Sequence, residues 1–203
     1  MNDYAFGLKV GFAQVGSGTV DNPTYVQGAA NLTPAQLAQY GLVGTGGCLP
    51  TDRRCHTPAR RGLNLALPIQ LGGAGVGFRL EPYMTLSSSA KAYGVYTGPT
   101  FVIHLARPLY LGFGLGFKAA WVRADPWKYA GDLFGSIPIE ATYYVADDFA
   151  FVLDFSFGAG ASAYVGELKD VINPLTGARI ARKSDVTFGL SRIWDLGLGV
   201  RFP

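Results

Sequence analysis

The sequence is poor in charge and has no long apolar run. Asp, Glu, Lys and Arg make up 15% of the residues, well below the roughly 25% of an ordinary soluble domain. No apolar run reaches the roughly 18 residues of a transmembrane helix, so a helical membrane span is excluded. The formal net charge of +3 is small and gives no reason to expect nucleic acid as a partner.

What the sequence has in abundance is alternation with a period of two residues. In 194–202, aromatic and aliphatic residues occupy one face, and small or charged residues occupy the other. Such a period predicts a β-strand with two different faces. Seven further segments alternate in the same way: 4–12, 63–71, 76–84, 101–105, 109–117, 137–145 and 149–157. Their length is near the roughly 9–11 residues with which a tilted strand crosses a bilayer.

The composition of the second face distinguishes a membrane barrel from a soluble one. A soluble barrel also alternates, but it shows water a face rich in Lys, Glu and Thr. Here the second face is mostly Gly, Ala, Ser and Thr, with about one charge per strand. These small residues suit the crowded interior of a narrow barrel. The pattern therefore favours an apolar face that meets lipid and a small, polar face that lines the lumen.

The connections between the segments are alternately long and short. The longer ones are 14–62, 87–99, 122–134 and 162–185, and the tight ones are 72–75, 106–108 and 146–148. Outer-membrane barrels have short periplasmic turns and longer extracellular loops. The sequence thus predicts an all-β fold, a transmembrane up-and-down antiparallel β-barrel of about eight strands. It forms a single domain over 1–203, with its long extracellular loops at about 14–62 and 162–185.

Three prolines leave some strand boundaries open. Pro68, Pro82 and Pro138 fall inside predicted strands, where each removes a donor from the hydrogen-bond ladder. A closed barrel has no edge at which to place them, so we expect them to mark bulges or strand ends.

The architecture and the last strand resemble the small OmpA/OmpX-type outer-membrane β-barrels of Gram-negative bacteria. Phe202 is similar to the terminal aromatic signal that the outer-membrane insertion machinery reads, although Pro203 follows it. The resemblance implies a bacterial outer-membrane location, with outer-membrane lipid, lipopolysaccharide and the insertion machinery as partners. Trp121 and Trp194, together with Phe202, are predicted to form the membrane girdle. No signal peptide is visible, so we expect a mature sequence with an added start Met.

The two cysteines lie in the first long loop. Six residues separate Cys48 from Cys55, and in an oxidising compartment such a pair is expected to form a disulfide. His56 is the only neighbouring imidazole. Two thiols and one imidazole lack a fourth ligand and the usual zinc spacing, so we predict no metal site and no cofactor.

The same loop contains a helix-start signal. Thr33 is suited to the N-cap, Pro34 to the first helical position and Gln36 to the capping box. We predict a short helix over 34–40, with Leu37 and Tyr40 packing inward.

Charged residues at inward positions are the best candidates for a functional site. Four are basic and four acidic: Lys9, Arg79, Glu81, Lys118, Glu140, Asp154, Asp195 and Arg201. Unpaired charges in a narrow lumen are costly, so each is expected to find an opposite partner. We predict a salt-bridged network that plugs the barrel. The alternative is a selectivity lining for a small pore.

Three classes of function remain. The first is a structural or interaction platform that presents extracellular loops, with a protein partner of unknown identity. The second is a narrow, porin-like channel for small solutes. The third is a lipid-modifying enzyme, since some small outer-membrane barrels act on lipid A.

The deacylase pattern needs His followed two residues later by Ser on the lipid face. His104 instead points inward and precedes Leu105 and Ala106. We therefore predict that the chain is not an enzyme and that His104 is a hydrogen-bonded lumen residue.

Overall fold

A computed structural model of the chain describes residues 4–21, 25, 29–39, 49, 51–57, 60–72, 75–87, 90–124, 127–165, 171–172, 179–181 and 186–202. Within these ranges, no helix has the length and apolar character needed to cross a membrane. The helical elements are a 3-10 turn at Ala29–Asn31 and the helix α1 at Pro34–Gln39.

Most of the described chain is β-strand. The strands are β1 (Tyr4–Asp21), β2 (Arg54–Thr57), β3 (Arg60–Ala66), β4 (Ile69–Leu71), β5 (Gly75–Leu86), β6 (Ala90–Ala106), β7 (Leu109–Gly114), β8 (Gly116–Ala124), β9 (Trp127–Ala146), β10 (Phe149–Val165), β11 (Val171–Ile172), β12 (Arg179–Ala181) and β13 (Val186–Phe202). Two pairs act as single interrupted strands, namely β3 with β4 and β7 with β8, because the members of each pair bond to the same neighbours.

The barrel wall is a ring of eight antiparallel strands, namely β1, β3 with β4, β5, β6, β7 with β8, β9, β10 and β13. Each of these wall strands pairs with the next wall strand along the chain, and β13 closes the ring by pairing with both β10 and β1. In the closing pair, Phe6 lies opposite Phe202 and Phe12 lies opposite Leu196. A closed up-and-down ring has no free edge, so every wall strand finds partners on both sides. The predicted fold, an up-and-down antiparallel barrel of about eight strands, is confirmed.

The prolines lie at or beside the interruptions. Pro68 occupies the gap between β3 and β4. The other gap is at Leu115, whose backbone N–H donates to the carbonyl of Pro99 at 3.3 Å. Pro138 of β9 lies beside this gap. Pro82 remains inside β5, and its side chain is exposed. The missing proline N–H groups explain why the ladder breaks here.

The strands are longer than the alternation predicted, and the additional residues lie at the strand ends opposite the tight turns. We call the end of the barrel with the tight turns 107–108 and 147–148 the turn end, and the opposite end the loop end. The predicted first loop, 14–62, is wrong at both borders. At its start, β1 continues to Asp21, and β2 pairs with the last four residues of β1. At its end, β3 already begins at Arg60. The predicted loop 162–185 is too long, since β10 continues to Val165 and a short β11–β12 hairpin lies within it.

The two medium loops are also largely strand. In place of 87–99, β6 already begins at Ala90. In place of 122–134, β8 ends at Ala124 and β9 begins at Trp127. A hairpin that rises above a lipid layer still satisfies its backbone groups by pairing. The inward side chains of these segments stay buried, as at Ala92 and Phe134, but their outward positions include polar residues such as Lys91 and Thr97. The apolar alternation that marked the lower part of each strand is therefore weaker there.

The two faces of the wall are inverted relative to a soluble protein. Large apolar side chains point outward, as shown by Leu198 at 68% exposed and Leu8 at 49%. The interior holds charged and polar side chains that are almost fully buried, such as Asp154 at 0%. Glycines make room for the largest of them: Tyr83 lies directly across from Gly94, where an added Cβ would collide with its ring.

The short helix is confirmed at Pro34–Gln39 and begins with the expected capping box. The Gln36 side-chain oxygen accepts from the Thr33 backbone N–H at 2.8 Å, and the Thr33 hydroxyl oxygen accepts from the Gln36 N–H at 3.3 Å. No residue of α1 is buried, although Leu37 is half-buried where the rest of the helix is exposed, so the inward packing predicted for Leu37 is only partial. Tyr40 lies outside the described residues.

Candidate functional site

The barrel interior gathers the eight charged residues named from the sequence. They come from β1, β5, β8, β9, β10 and β13, and each is at most 7% exposed. Inward side chains of a narrow barrel converge on its axis, so residues distant in sequence meet there. We call this set, Lys9, Arg79, Glu81, Lys118, Glu140, Asp154, Asp195 and Arg201, the charge network.

Lys9 is one centre of the charge network. Its ammonium nitrogen lies 2.7 Å from Glu81 Oε1, 2.7 Å from Asp154 Oδ1 and 3.4 Å from Asp195 Oδ1. Three carboxylates from three different strands thus share one cation, whose three N–H donors are all used. The stem of Lys9 crosses Gly197, where a Cβ would lie within 3 Å of its methylene carbons.

Arg79 is the second centre. Its guanidinium bonds to Glu81 on the same strand, and its Nη1 lies 2.9 Å from Asp154 Oδ2 and 3.2 Å from Glu140 Oε2. Asp154 therefore bridges Lys9 and Arg79 with its two oxygens. Because Asp154 is wholly buried, these two cations replace the water that would otherwise solvate it.

The two remaining cations extend the network toward opposite ends. Toward the loop end, Lys118 Nζ lies 2.5 Å from Asp195 Oδ2, and it also lies 4.4 Å from the centre of the Tyr83 ring. Toward the turn end, Arg201 engages both oxygens of Glu140, at 2.6 and 2.7 Å. This bidentate geometry is the strongest form of an arginine–carboxylate pair.

The charge network is continuous and balanced. The chain of contacts runs from Lys118 through Asp195, Lys9, Asp154, Arg79 and Glu140 to Arg201, with Glu81 joining Lys9 to Arg79. Two hydroxyl groups donate further hydrogen bonds to carboxylates of the network: Ser156 donates to Asp195 at 2.5 Å, and Thr142 donates to Glu140 at 2.8 Å. The four positive and four negative groups cross-link six strands through the lumen.

A second, apolar layer of three side chains lies in the lumen beside the charge network. Val15, Phe134 and Ile193 form a cluster in which no side chain exceeds 2% exposure. Ile193 precedes Asp195 by one inward position on β13, on the side of the loop end. A solute that moves along the axis would therefore meet two barriers in series, one charged and one apolar.

A small recess lies beside the charge network. This recess of about 10 Å³ is lined by residues that include Arg79, Glu140, Gln70 and Thr100. That is room for about one water. In the part of the chain that the structure describes, no three His, Cys, Asp or Glu side chains are arranged to hold a metal ion.

The sequence reasoning missed one buried acid. Asp132 is 4% exposed and points into the barrel near the loop end, across from Ser162. It fell within the predicted loop 122–134, so no parity was assigned to it. Extending the alternation of β9 beyond Ile137 would have found it, because Asp132, Phe134 and Ser136 keep the inward register.

The remaining predicted residues lie away from the lumen. His104 is not a lumen residue as predicted: it is exposed at the turn end and stacks on Tyr110 with ring centres 4.8 Å apart. Trp121 is outward and 56% exposed, and Trp194 is half-buried on the same outer wall. Phe202 stacks against a phenylalanine of β1 at the turn end. Cys48 lies outside the described residues, so its disulfide with Cys55 stays a prediction.

Comparison with known proteins identifies the fold. No family model matches the chain, and no curated protein matches it in sequence. Neisserial surface protein A matches with a TM-score of 0.55 at 9% identity, covering 99% of this chain and 97% of that one. The outer-membrane protein OprG from Pseudomonas aeruginosa matches with a TM-score of 0.54 at 11% identity, covering 98% and 95%. The chain therefore has the fold of the small OmpA/OmpX-type outer-membrane β-barrels.

Proposed function

We propose that this chain is a closed outer-membrane barrel that serves as a rigid platform for its extracellular hairpins. The observation that carries the proposal is the charge network, which fills the lumen with paired groups instead of lining an open passage. Eight-stranded barrels have an interior just wide enough for side chains. Cross-linking six strands through that interior makes the wall stiff.

The outer wall supports a location in the bacterial outer membrane. Its apolar face is continuous around the ring and would be unstable in water over such an area. The tight turns then face the periplasm and the loop end faces outward, as in barrels of this fold. The long hairpins and the capped helix α1 belong to the loop end, which is the surface available to a partner outside the cell.

The proposal is tested first by the protein's solvent requirement. Folded protein should stay monodisperse only in detergent or lipid. A monodisperse, β-rich protein in plain buffer would overturn the membrane assignment.

The closed lumen is tested by planar-bilayer recording. Wild type should give conductance near zero, because both the charge network and the apolar layer must open for ions to pass. Glu140→Ala and Phe134→Ala should each stay nearly closed, since each removes one barrier, whereas the double variant should conduct. A large, steady wild-type conductance would replace the platform with a channel for small solutes.

A further inference from the structure

We infer that Arg61 and Arg192 form a site on the outer wall that binds the phosphate groups of outer-leaflet glycolipid. The inference rests on the proposed outer-membrane function and deepens it, because it names a lipid partner and the residues that hold it. The two arginines stand on neighbouring parts of an otherwise apolar face, on either side of β1.

Arg192 interrupts the apolar face of β13. It is exposed and points outward between Leu190 and Trp194. Its register neighbours are Ala159 of β10 and Ser17 of β1, which are small and uncharged. Among the residues that the structure describes, Arg192 forms no ion pair. A cation on this face is costly at mid-membrane and is tolerated near an interface.

The height of Arg192 places it at such an interface. It lies ten positions before Phe202, the outward aromatic at the turn end. At about 3.3 Å per residue and a tilt of about 40°, ten residues rise about 25 Å, which equals the height of the apolar band of such barrels. The guanidinium therefore reaches the level where the phosphates of the outer leaflet lie.

Arg61 points outward on the other side of β1, level in register with Trp194 and thus two residues nearer the turn end than Arg192. Its Nε donates to the side-chain oxygen of Gln14 at 2.9 Å, which fixes the guanidinium against the wall. Gln14 pairs in register with both Arg61 and Trp194. The backbones of Arg61 and Trp194 are thus separated by two strand spacings, about 10 Å, and Arg192 lies two residues farther along β13, which puts the backbones of the two arginines about 12 Å apart. Both side chains are long enough to approach one lipid headgroup from two sides.

The charges of the wall select an anion. The acidic side chains that the structure describes in the wall strands all point inward: Glu81, Asp132, Glu140, Asp154 and Asp195. Among the side chains that the structure describes, the outward wall therefore offers these two arginines no competing carboxylate. Arginine presents a planar fork that matches phosphate oxygens. Trp194, which packs 5.8 Å from Phe12, adds an aromatic surface beneath the site.

The test compares lipid A that carries its phosphates with lipid A from which they have been removed. Each is titrated into the detergent-solubilised barrel and followed by native mass spectrometry. The variants are Arg61→Gln, Arg192→Gln and the double change. The matched control is Arg107→Gln in a tight turn at the opposite end, where the arginine is also exposed.

Wild type and the control should prefer the phosphorylated lipid. Each single variant should weaken that preference by about fivefold, as expected for one cation near an anionic surface, and the double variant should bind both lipids alike. Unchanged preference in the double variant would overturn the inference. Heat-dependent gel mobility shows separately whether each variant is folded. A wild type that fails to fold in detergent refutes the proposed function, whereas a folded wild type without lipid preference refutes only the lipid site.

Discussion

Removing the carboxylate of Asp154 is the most direct test of the charge network. Asp154 is fully buried, and its two oxygens lie 2.7 Å from Lys9 Nζ and 2.9 Å from Arg79 Nη1. Asp154→Ala leaves four bases and three acids in the network. The excess positive charge has little water to solvate it, so the barrel should lose stability.

The magnitude follows from what the two cations retain. Removing one partner of a buried ion pair typically costs about 3–5 kcal/mol. Lys9 keeps Glu81 and Asp195, and Arg79 keeps Glu81 and Glu140. We therefore expect the lower end of the range, a loss of about 3 kcal/mol in the free energy of unfolding. Combining Asp154→Ala with Lys9→Met restores the balance of charge and should recover part of that loss, with a coupling of about 1–3 kcal/mol.

The assay is urea unfolding in detergent micelles, followed by tryptophan fluorescence. The control is Asp147→Ala, in the exposed turn 147–148 of the barrel. This change should alter the free energy of unfolding by less than about 0.5 kcal/mol. If Asp154→Ala costs no more than this control at an unchanged denaturant slope, the network is solvated and does not plug the lumen.

Two further predictions concern assembly and the first long loop. Phe202→Ala should reduce insertion into the outer membrane, because the last strand loses the aromatic that ends its outward face and stacks on Phe6; wild-type amounts of folded, heat-modifiable protein in cells would contradict this. Cys48 and Cys55 should be bonded to each other, and their joint replacement should loosen the loop and leave the barrel folded, because a small closed loop constrains the unfolded chain only locally. Labelling of both thiols in unreduced native membranes would disprove the bond.

Within the eight predicted strand segments, the direction of each side chain was predictable from the sequence. An apolar outer face fixes the parity of a strand, so Lys118, between outward Phe117 and half-buried Ala119, had to point inward. Parity does not give height along the barrel axis. His104 shares the inward parity of Thr100, yet Thr100 is buried and His104 is exposed at the turn end. Height depends on register across the whole ring, which no single strand encodes.

The ends of the strands were not predictable by the same reasoning. Lipid imposes alternation only on the part of a strand that it touches. Above that level the outward face need not be apolar, and small residues such as Ala159 and Gly160 carry no pattern. For this reason the sequence placed loops at 87–99 and 122–134 where the chain continues in paired strands. It also left Asp132 without an assigned face.

The charged interior determines which face of each alternating strand points inward. A strand with a period of two that slips by one residue exchanges its faces completely. If both faces were apolar, the slipped barrel would meet lipid almost as well as the correct one, and register would be weakly specified. With Asp154 of β10 and Asp195 of β13 on the inward face, a slip of either strand would expose a carboxylate to lipid and deprive Lys9 of one of its three partners. The network is therefore a costly way to stabilise a barrel and an effective way to specify which face is inside.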